Sequence, residues 1–447
     1  MLADLSPVPA LPMLRRAAQQ LSKMSSDRRA AKLVRECHRL LSVRAEANSP
    51  AIAQDIIAEF GTLTDAQLDA LFDALASEFS PDPQAVLTAA QAYAADPSSS
   101  ALATLSAAAE PPRQELFRRL NRAPGGTAAL VRLRRHLLLR LKKNAQWQSV
   151  EADLLHLLSS WFNPGFLEMR RVDWSSPAHL LEQIIRHEAV HAIDGWDDLR
   201  RRLQPDRRCF AFFHPQLANV PLIFVEVALG TAMPDAIAPL IDKNSAITSP
   251  KQFRVAAFYS ISNCEPGLRS VSLGNFLIKR VAEELKLELP QLKTFCTLSP
   301  IPGFMSWLTR GKAALVYEGL KPAVVKRLNA AHDVLHAATN GELARLGSAD
   351  TLKALNEEAS EALLSLASAY LIHESPRTQG DPVARFHLDN GARLERINAL
   401  ANVSAKGLKQ SAGLMVNYLY NLDRVEQSHE DFVNGTVTHA RAVSSLI

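Results

Sequence analysis

Four stretches carry residue types whose spacing could do chemistry. His187-Glu188-Ala189-Val190-His191 matches HExxH, which on a helix puts two imidazoles on one face, as zinc requires. Gly195 is out of register with the extended form of that motif, and no histidine stands at its third-ligand position, so a helix with incidental histidines is the preferred reading. Ser260 to Val281 reads as a strand end, a Gly/Ser-rich turn and a helix opening near Gly274-Asn275. Exposed N–H groups and a helix dipole at such a turn suit a pyrophosphate, with Arg269 adding a cation; an ordinary strand-to-helix loop looks the same. Leu298-Ser299-Pro300-Ile301-Pro302-Gly303-Phe304 ends a strand on a hydroxyl and then meets two prolines. That rigid exit fixes the last side chain and its backbone amides, which a charge-positioning site needs. No GxSxG surrounds Ser299, so an acylated serine is not indicated, and a plain strand-ending turn is the alternative. In Phe386-His387-Leu388-Asp389-Asn390-Gly391-Ala392 the histidine could be a general acid or a satisfied core residue. The phenols of Tyr418 and Tyr420 could line a pocket or simply pack.

The elements that must position these residues change character along the chain. Residues 10 to about 160 read as successive helices, with apolar residues at three and four spacing in 28–42, 51–60, 65–78, 84–94, 114–121 and 127–141. The stretch 96–113, rich in Ala, Ser and Pro, reads as a loosely packed helix between turns. Six basic residues surround a leucine stripe at 131–143, most simply a packed helix with its cations in solvent. A helix over 177–203 precedes β-type runs at 209–214, 221–229 and 255–262; a helix over 275–289 then leads to a fourth run at 293–299. Three strands that pair as neighbours, then a helical crossover to the fourth, follow from that order. Helices resume over 313–346 and 350–373, and 379–420 has little clean periodicity.

Bulk properties bound the function. At 447 residues two domains are expected. A composition of 47% hydrophobic and 21% charged residues is that of a globular protein. Fifty basic against 46 acidic residues leave +4, too small and scattered for nucleic acid but suited to a polyphosphorylated ligand. Four cysteines without paired spacing argue against zinc and fit reduced thiols. No run of about 18 apolar residues suggests a membrane span. Arg15, Arg16 and Lys23 hint at a transit peptide, but Asp4 and three early prolines weigh against it, and Ser444-Ser445-Leu446-Ile447 is no peroxisomal signal. A cytoplasmic location is the expectation.

In order along 160–420, WFNPGFLEMRRVDW (161–174), EAVH (188–191), RRCFAFFH (207–214), FYSIS (258–262), LGNFLIKRV (273–281), LSPIPGF (298–304), DPVARFHLDNGARLERIN (381–398) and SAGLMVNYLY (411–420) resemble malonyl-CoA decarboxylases. The resemblance implies an α+β fold: an all-α helical bundle at 1–158 serving oligomerisation, then a mixed-sheet catalytic domain at 159–447 like that of GNAT acyltransferases. It implies conversion of malonyl-CoA to acetyl-CoA and CO₂ without metal or organic cofactor, in a homo-oligomer, dimer or tetramer. It matches Ser299 and His387 to the family's catalytic residues; the chemistry of a thioester enolate held in an oxyanion hole then favours His387 as the proton donor to carbon, and Ser299 for hydrogen bonding to the departing carboxylate or relaying a proton. Arg269, Ser270, Val271, Ser272, Leu273, Gly274 and Asn275 match the CoA pyrophosphate loop, and Tyr420 matches a pocket tyrosine. Ser272 departs from the family, whose members carry an acidic residue there. The competing readings are an acyl-CoA acyltransferase and a non-catalytic acyl-CoA sensor.

Overall fold

The computed structural model describes residues 28–42, 48–271, 273, 277–315, 320–377 and 380–447. They divide into two compact units. The first holds the residues up to Leu167 together with 214–218 and 265–273, and the second holds the rest. Among the described residues, no helix is long and apolar enough to cross a membrane.

The first unit is helical. It contains α1 (28–41), α2 (Ser49–Phe60), α3 (Asp65–Ser77), α4 (Pro83–Ala95), α5 (Ser99–Ala109), α6 (Pro112–Arg122), α7 (Gly126–Arg140) and α8 (Gln148–Trp161). Starts are fixed locally: Thr64 accepts from Gln67 N–H while the Gln67 side chain accepts from Thr64 N–H, closing a capping box on α3. Leu71, Phe72, Phe117, Leu130, Leu137, Trp147 and Leu154 form part of one buried core. As expected of a loosely packed helix, α5 buries none of its residues. The basic helix departs from expectation. In α7, Arg132 and Arg135 face solvent, but Arg134 is fully buried. A buried guanidinium needs partners on every side, and Glu151 on α8 and the carbonyls of Gly267 and Arg269 supply them.

The second unit is a mixed sheet with helices. Its strands are β1 (Glu168–Val172), β2 (Arg207–Phe213), β3 (Ile223–Gly230), β4 (Val255–Asn263), β5 (Thr294–Thr297), β6 (Ser299–Pro300), β7 (Arg393–Asn398) and β8 (Met415–Leu419). The sheet order is β1-β2-β3-β4-β5-β8-β6, with β7 also on β8, and among the strand pairings of the described residues only β4–β5 is parallel. The expected run of three neighbouring strands, a helix and a fourth strand is therefore present, with the chain helical over Leu277–Glu288 between β4 and β5.

Two expectations fail here. The single helix at 177–203 is two, α9 (Ala178–His187) and α10 (Gly195–Arg202). Glu188 breaks it: its Oε1 accepts from the backbone N–H groups of Val190 and His191, turning the chain instead of continuing the helix. His187 ends α9 and His191 lies beyond it, so the HExxH residues share no helical face. The stretch 379–420 is also more regular than its sequence suggests. It contributes β7, β8 and two helices, Pro382–Asp389 and Ala405–Ser411.

The sheet opens where the site lies. The β4–β5 ladder stops at Phe258↔Thr297, followed by one bond from Leu298 N–H to Phe258 O. Past it, Ser299 and Pro300 swing onto β8, pairing with Val416 and Met415. Tyr259 is an extra residue on β4, since Glu226 opposes Ser260 while Val227 opposes Phe258. The edge of β4 from Tyr259 to Asn263 is thus left without β5.

Candidate active site

A cavity of about 280 Å³ fills this opening. Ser260, Asn263, Ser299 and His387 supply its polar groups, and Val190, Ile223, Phe258, Ile261, Pro382 and Phe386 are among its apolar walls. No Lys, Arg, Asp or Glu lines it among the described residues.

Ser299 and His387, 88 residues apart in sequence, meet here: Oγ lies 2.8 Å from Nε2. Nδ1 lies 3.0 Å from the Tyr420 hydroxyl, and the ring stacks on Tyr418 at 4.7 Å between centroids. Burial pushes the His387 imidazole down to about 3, so it is neutral near pH 7 and carries one N–H. Ser299 donates to Thr297 Oγ1 at 2.9 Å, which leaves its own oxygen to accept from His387. The proton therefore sits on Nε2, and Nδ1 accepts from Tyr420, whose phenol burial keeps protonated. A directed chain results: Tyr420 to His387 to Ser299 to Thr297.

Each member is set by its local structure. Thr297 ends β5, and its Oγ1 also accepts from Tyr418 N–H of β8 at 3.2 Å. His387 lies on the helix Pro382–Asp389, whose N-terminus is capped by Asp381: Oδ1 accepts from the N–H groups of Val383 and Ala384, both at 3.0 Å. The second oxygen accepts from Gly303 N–H at 2.9 Å and from the Tyr370 hydroxyl at 3.3 Å. One buried carboxylate thus ties the turn after Ser299 to the helix bearing His387.

Beside the pair lies a group that no sequence motif assigned to the site. Glu188 Oε2 accepts from Ser260 Oγ at 2.6 Å and from Ser262 Oγ at 3.2 Å. Its other oxygen holds the turn at Val190, so one carboxylate connects two parts of the cavity wall. The available signal was the pair of serines two apart in an apolar strand, which share a face. Thr297 and Asp381 were missed too.

Of the residues expected to serve the site, Ser299, His387 and Tyr420 come together. Arg269, Ser270, Val271 and Leu273 belong to the helical unit. There Arg269 and Ser270 are exposed, Val271 and Leu273 are buried, and Ser270 adopts φ 65. Ser272, Gly274 and Asn275 lie outside the described residues.

A helical unit joined to a mixed-sheet unit, with a buried serine–histidine pair where two parallel strands separate, defines an α+β protein with a candidate acid–base site. A family model described as malonyl-CoA decarboxylase C-terminal domain matches residues 165–447, and one described as malonyl-CoA decarboxylase N-terminal domain matches 79–162. The chain belongs to the malonyl-CoA decarboxylase family. The solved malonyl-CoA decarboxylase of Rhodopseudomonas palustris is 46% identical, with a TM-score of 0.82 over 93% of this chain and 99% of that one. That of Agrobacterium vitis is 45% identical, with a TM-score of 0.79 over 93% and 99%. The mitochondrial malonyl-CoA decarboxylase of Mus musculus is 38% identical over 323 residues, 69% of this chain. The match spans 65% of the mouse protein's length, a little under two thirds.

Proposed function

We propose that this chain converts malonyl-CoA to acetyl-CoA and CO₂. The observation that carries the reading is the Tyr420–His387–Ser299–Thr297 chain on a cavity with no charged lining. Breaking the carboxylate–Cα bond leaves its electron pair as a thioester enolate, and Cα then takes one proton. An apolar, uncharged wall favours neutral CO₂ over a buried carboxylate, and the β4 edge beyond Phe258 offers backbone groups to the enolate oxygen. A substrate carboxylate beside His387 favours a proton on the ring. Loss of CO₂ moves the negative charge onto the enolate, and His387 delivers the proton to Cα directly or through Ser299, to be replaced from solvent.

The loop from Arg269 to Asn275 would receive the CoA pyrophosphate, a role supported by its match to the family motif and by the exposed Arg269. Four buried cysteines, none of them in a disulfide, support a reducing compartment such as the cytoplasm. Exposed Leu87 and Leu102 on the thinly buried α4 and α5 support assembly of copies through the helical unit.

Malonyl-CoA incubated with the purified protein should yield CO₂ and acetyl-CoA in equal amounts. Acyl transfer without CO₂, or tight CoA binding without turnover, would contradict the proposal.

A further inference from the structure

The chain pairs with β8 on both sides of a gap that lies just before Ser299. β5 pairs at Cys296↔Leu419 and β6 at Ser299↔Val416, in the same register, and the pairing skips Thr297 and Leu298 between them. Leu298 N–H turns away to Phe258 O on β4. Thr297 lies opposite Tyr418, yet Tyr418 N–H donates to the Thr297 hydroxyl at 3.2 Å. The Thr297 carbonyl accepts instead from a side chain, Asn417 Nδ2 at 2.8 Å. A side-chain amide therefore stands where a strand N–H would.

That amide is fully buried and has no spare capacity. Its second N–H goes to Pro234 O at 3.0 Å, and its oxygen accepts from Arg396 Nε at 3.0 Å and Asn398 Nδ2 at 2.8 Å. With both protons and both lone pairs engaged, the amide has one orientation, nitrogen towards Thr297. The irregularity in β7 between Leu394 and Arg396 brings Arg396 opposite Asn417, so the strand is shaped to deliver that contact.

We infer that Asn417 is a positioning residue for the Ser299–His387 pair. The inference deepens the reading of that pair as the reacting groups and rests on it. By satisfying the Thr297 carbonyl, Asn417 leaves Tyr418 N–H to the Thr297 hydroxyl, and that bond aims the hydroxyl oxygen at Ser299. Without the amide, the bare carbonyl draws Tyr418 N–H back into the ladder and the Thr297 hydroxyl loses its anchor. Ser299, no longer held by Thr297, then donates to His387 Nε2 and shifts the ring proton to Nδ1.

The test is Asn417→Asp, which keeps the shape and the oxygens for Arg396 and Asn398 but has no proton for Thr297 O. Its kcat for CO₂ release should fall on the order of tenfold or more, with KM for malonyl-CoA little changed. In a Ser299→Ala background the same substitution should cost little further, because the hydroxyl it positions is gone. Asn398→Ala removes one of the two donors that orient the amide; it should show the same pattern at smaller size, and serves if Asn417→Asp fails to fold. Nitrogen-15 NMR of histidine-labelled protein reads the effect without turnover, the His387 signals being those lost in His387→Asn. The ring should be protonated at Nε2 in wild type and increasingly at Nδ1 in the variants. Equal losses of kcat with and without the Ser299 hydroxyl, an unchanged kcat or an unchanged tautomer would overturn the inference. If wild type releases no CO₂ while the variants still move the ring proton, the proposed activity falls and the positioning stands. If wild type releases no CO₂ and the proton does not move, both fall.

Discussion

The turn at 300–303 and the segment at 265–271 are both rigid exits from strands, held by opposite charges. In the turn, Pro300 and Pro302 restrict the backbone, and the Asp381 carboxylate collects the free Gly303 N–H. In the segment after β4, the Arg134 guanidinium collects carbonyls. The anionic grip lies within the sheet unit and joins Ser299's neighbourhood to the helix of His387; the cationic grip lies within the helical unit. Damage to the first should appear in the chemical step.

The largest effect tests the first half of that contrast. Ser299→Ala and His387→Asn should each lower kcat for CO₂ release about a hundredfold or more, with KM for malonyl-CoA much less changed. A variant that instead raised KM alone would erase the distinction between the two regions. Asp381→Asn should be milder. It keeps an oxygen for the helix cap but weakens the charge-assisted hold on Gly303 N–H, so kcat should fall about tenfold and stability by about 1–3 kcal/mol. Malonyl-N-acetylcysteamine, a thioester lacking the nucleotide half, should feel this loss as fully as malonyl-CoA.

The smallest effect is on pH dependence. Burial holds His387 at about 3 and His191 at about 4, both below the ordinary 6.5. The unfolded chain takes up these protons as pH falls through 6.5 while the folded chain does not. The sheet unit should therefore keep its full stability above pH 6.5 and lose it progressively towards about 4 and then 3. Urea unfolding followed between pH 7.5 and 4.5 reads this slope, and His387→Asn should flatten it. An unchanged slope would mean that the ring is not held neutral by the fold.

How much of this was legible depended on sequence distance. Ser299 was readable because its prolines stand beside it, and His387 because its flanks match a family motif. The three long β runs were readable because their residues are almost all buried, which shows as continuous apolar sequence. β1 and β7 escaped notice because their partly exposed faces carry Arg and Glu, and β8 because Asn417 interrupts its apolar run. Glu188, Asp381 and Arg134 escaped for another reason. Each is an ordinary charged residue until folding buries it against backbone groups, 78 residues away for Asp381 and 133 for Arg134. The solvent-facing prediction for the basic helix failed at Arg134, which is fully buried, and at Arg140, which pairs with Asp65 and Asp69.

On this reading Ser299 and His387 act as one hydrogen-bonded unit on the substrate. A double-mutant cycle on CO₂ release with Ser299→Ala, His387→Asn and their combination tests it most directly. The double variant should be no slower than the worse single variant, because either change already breaks the chain. Independent losses that multiply in the double variant would contradict the account.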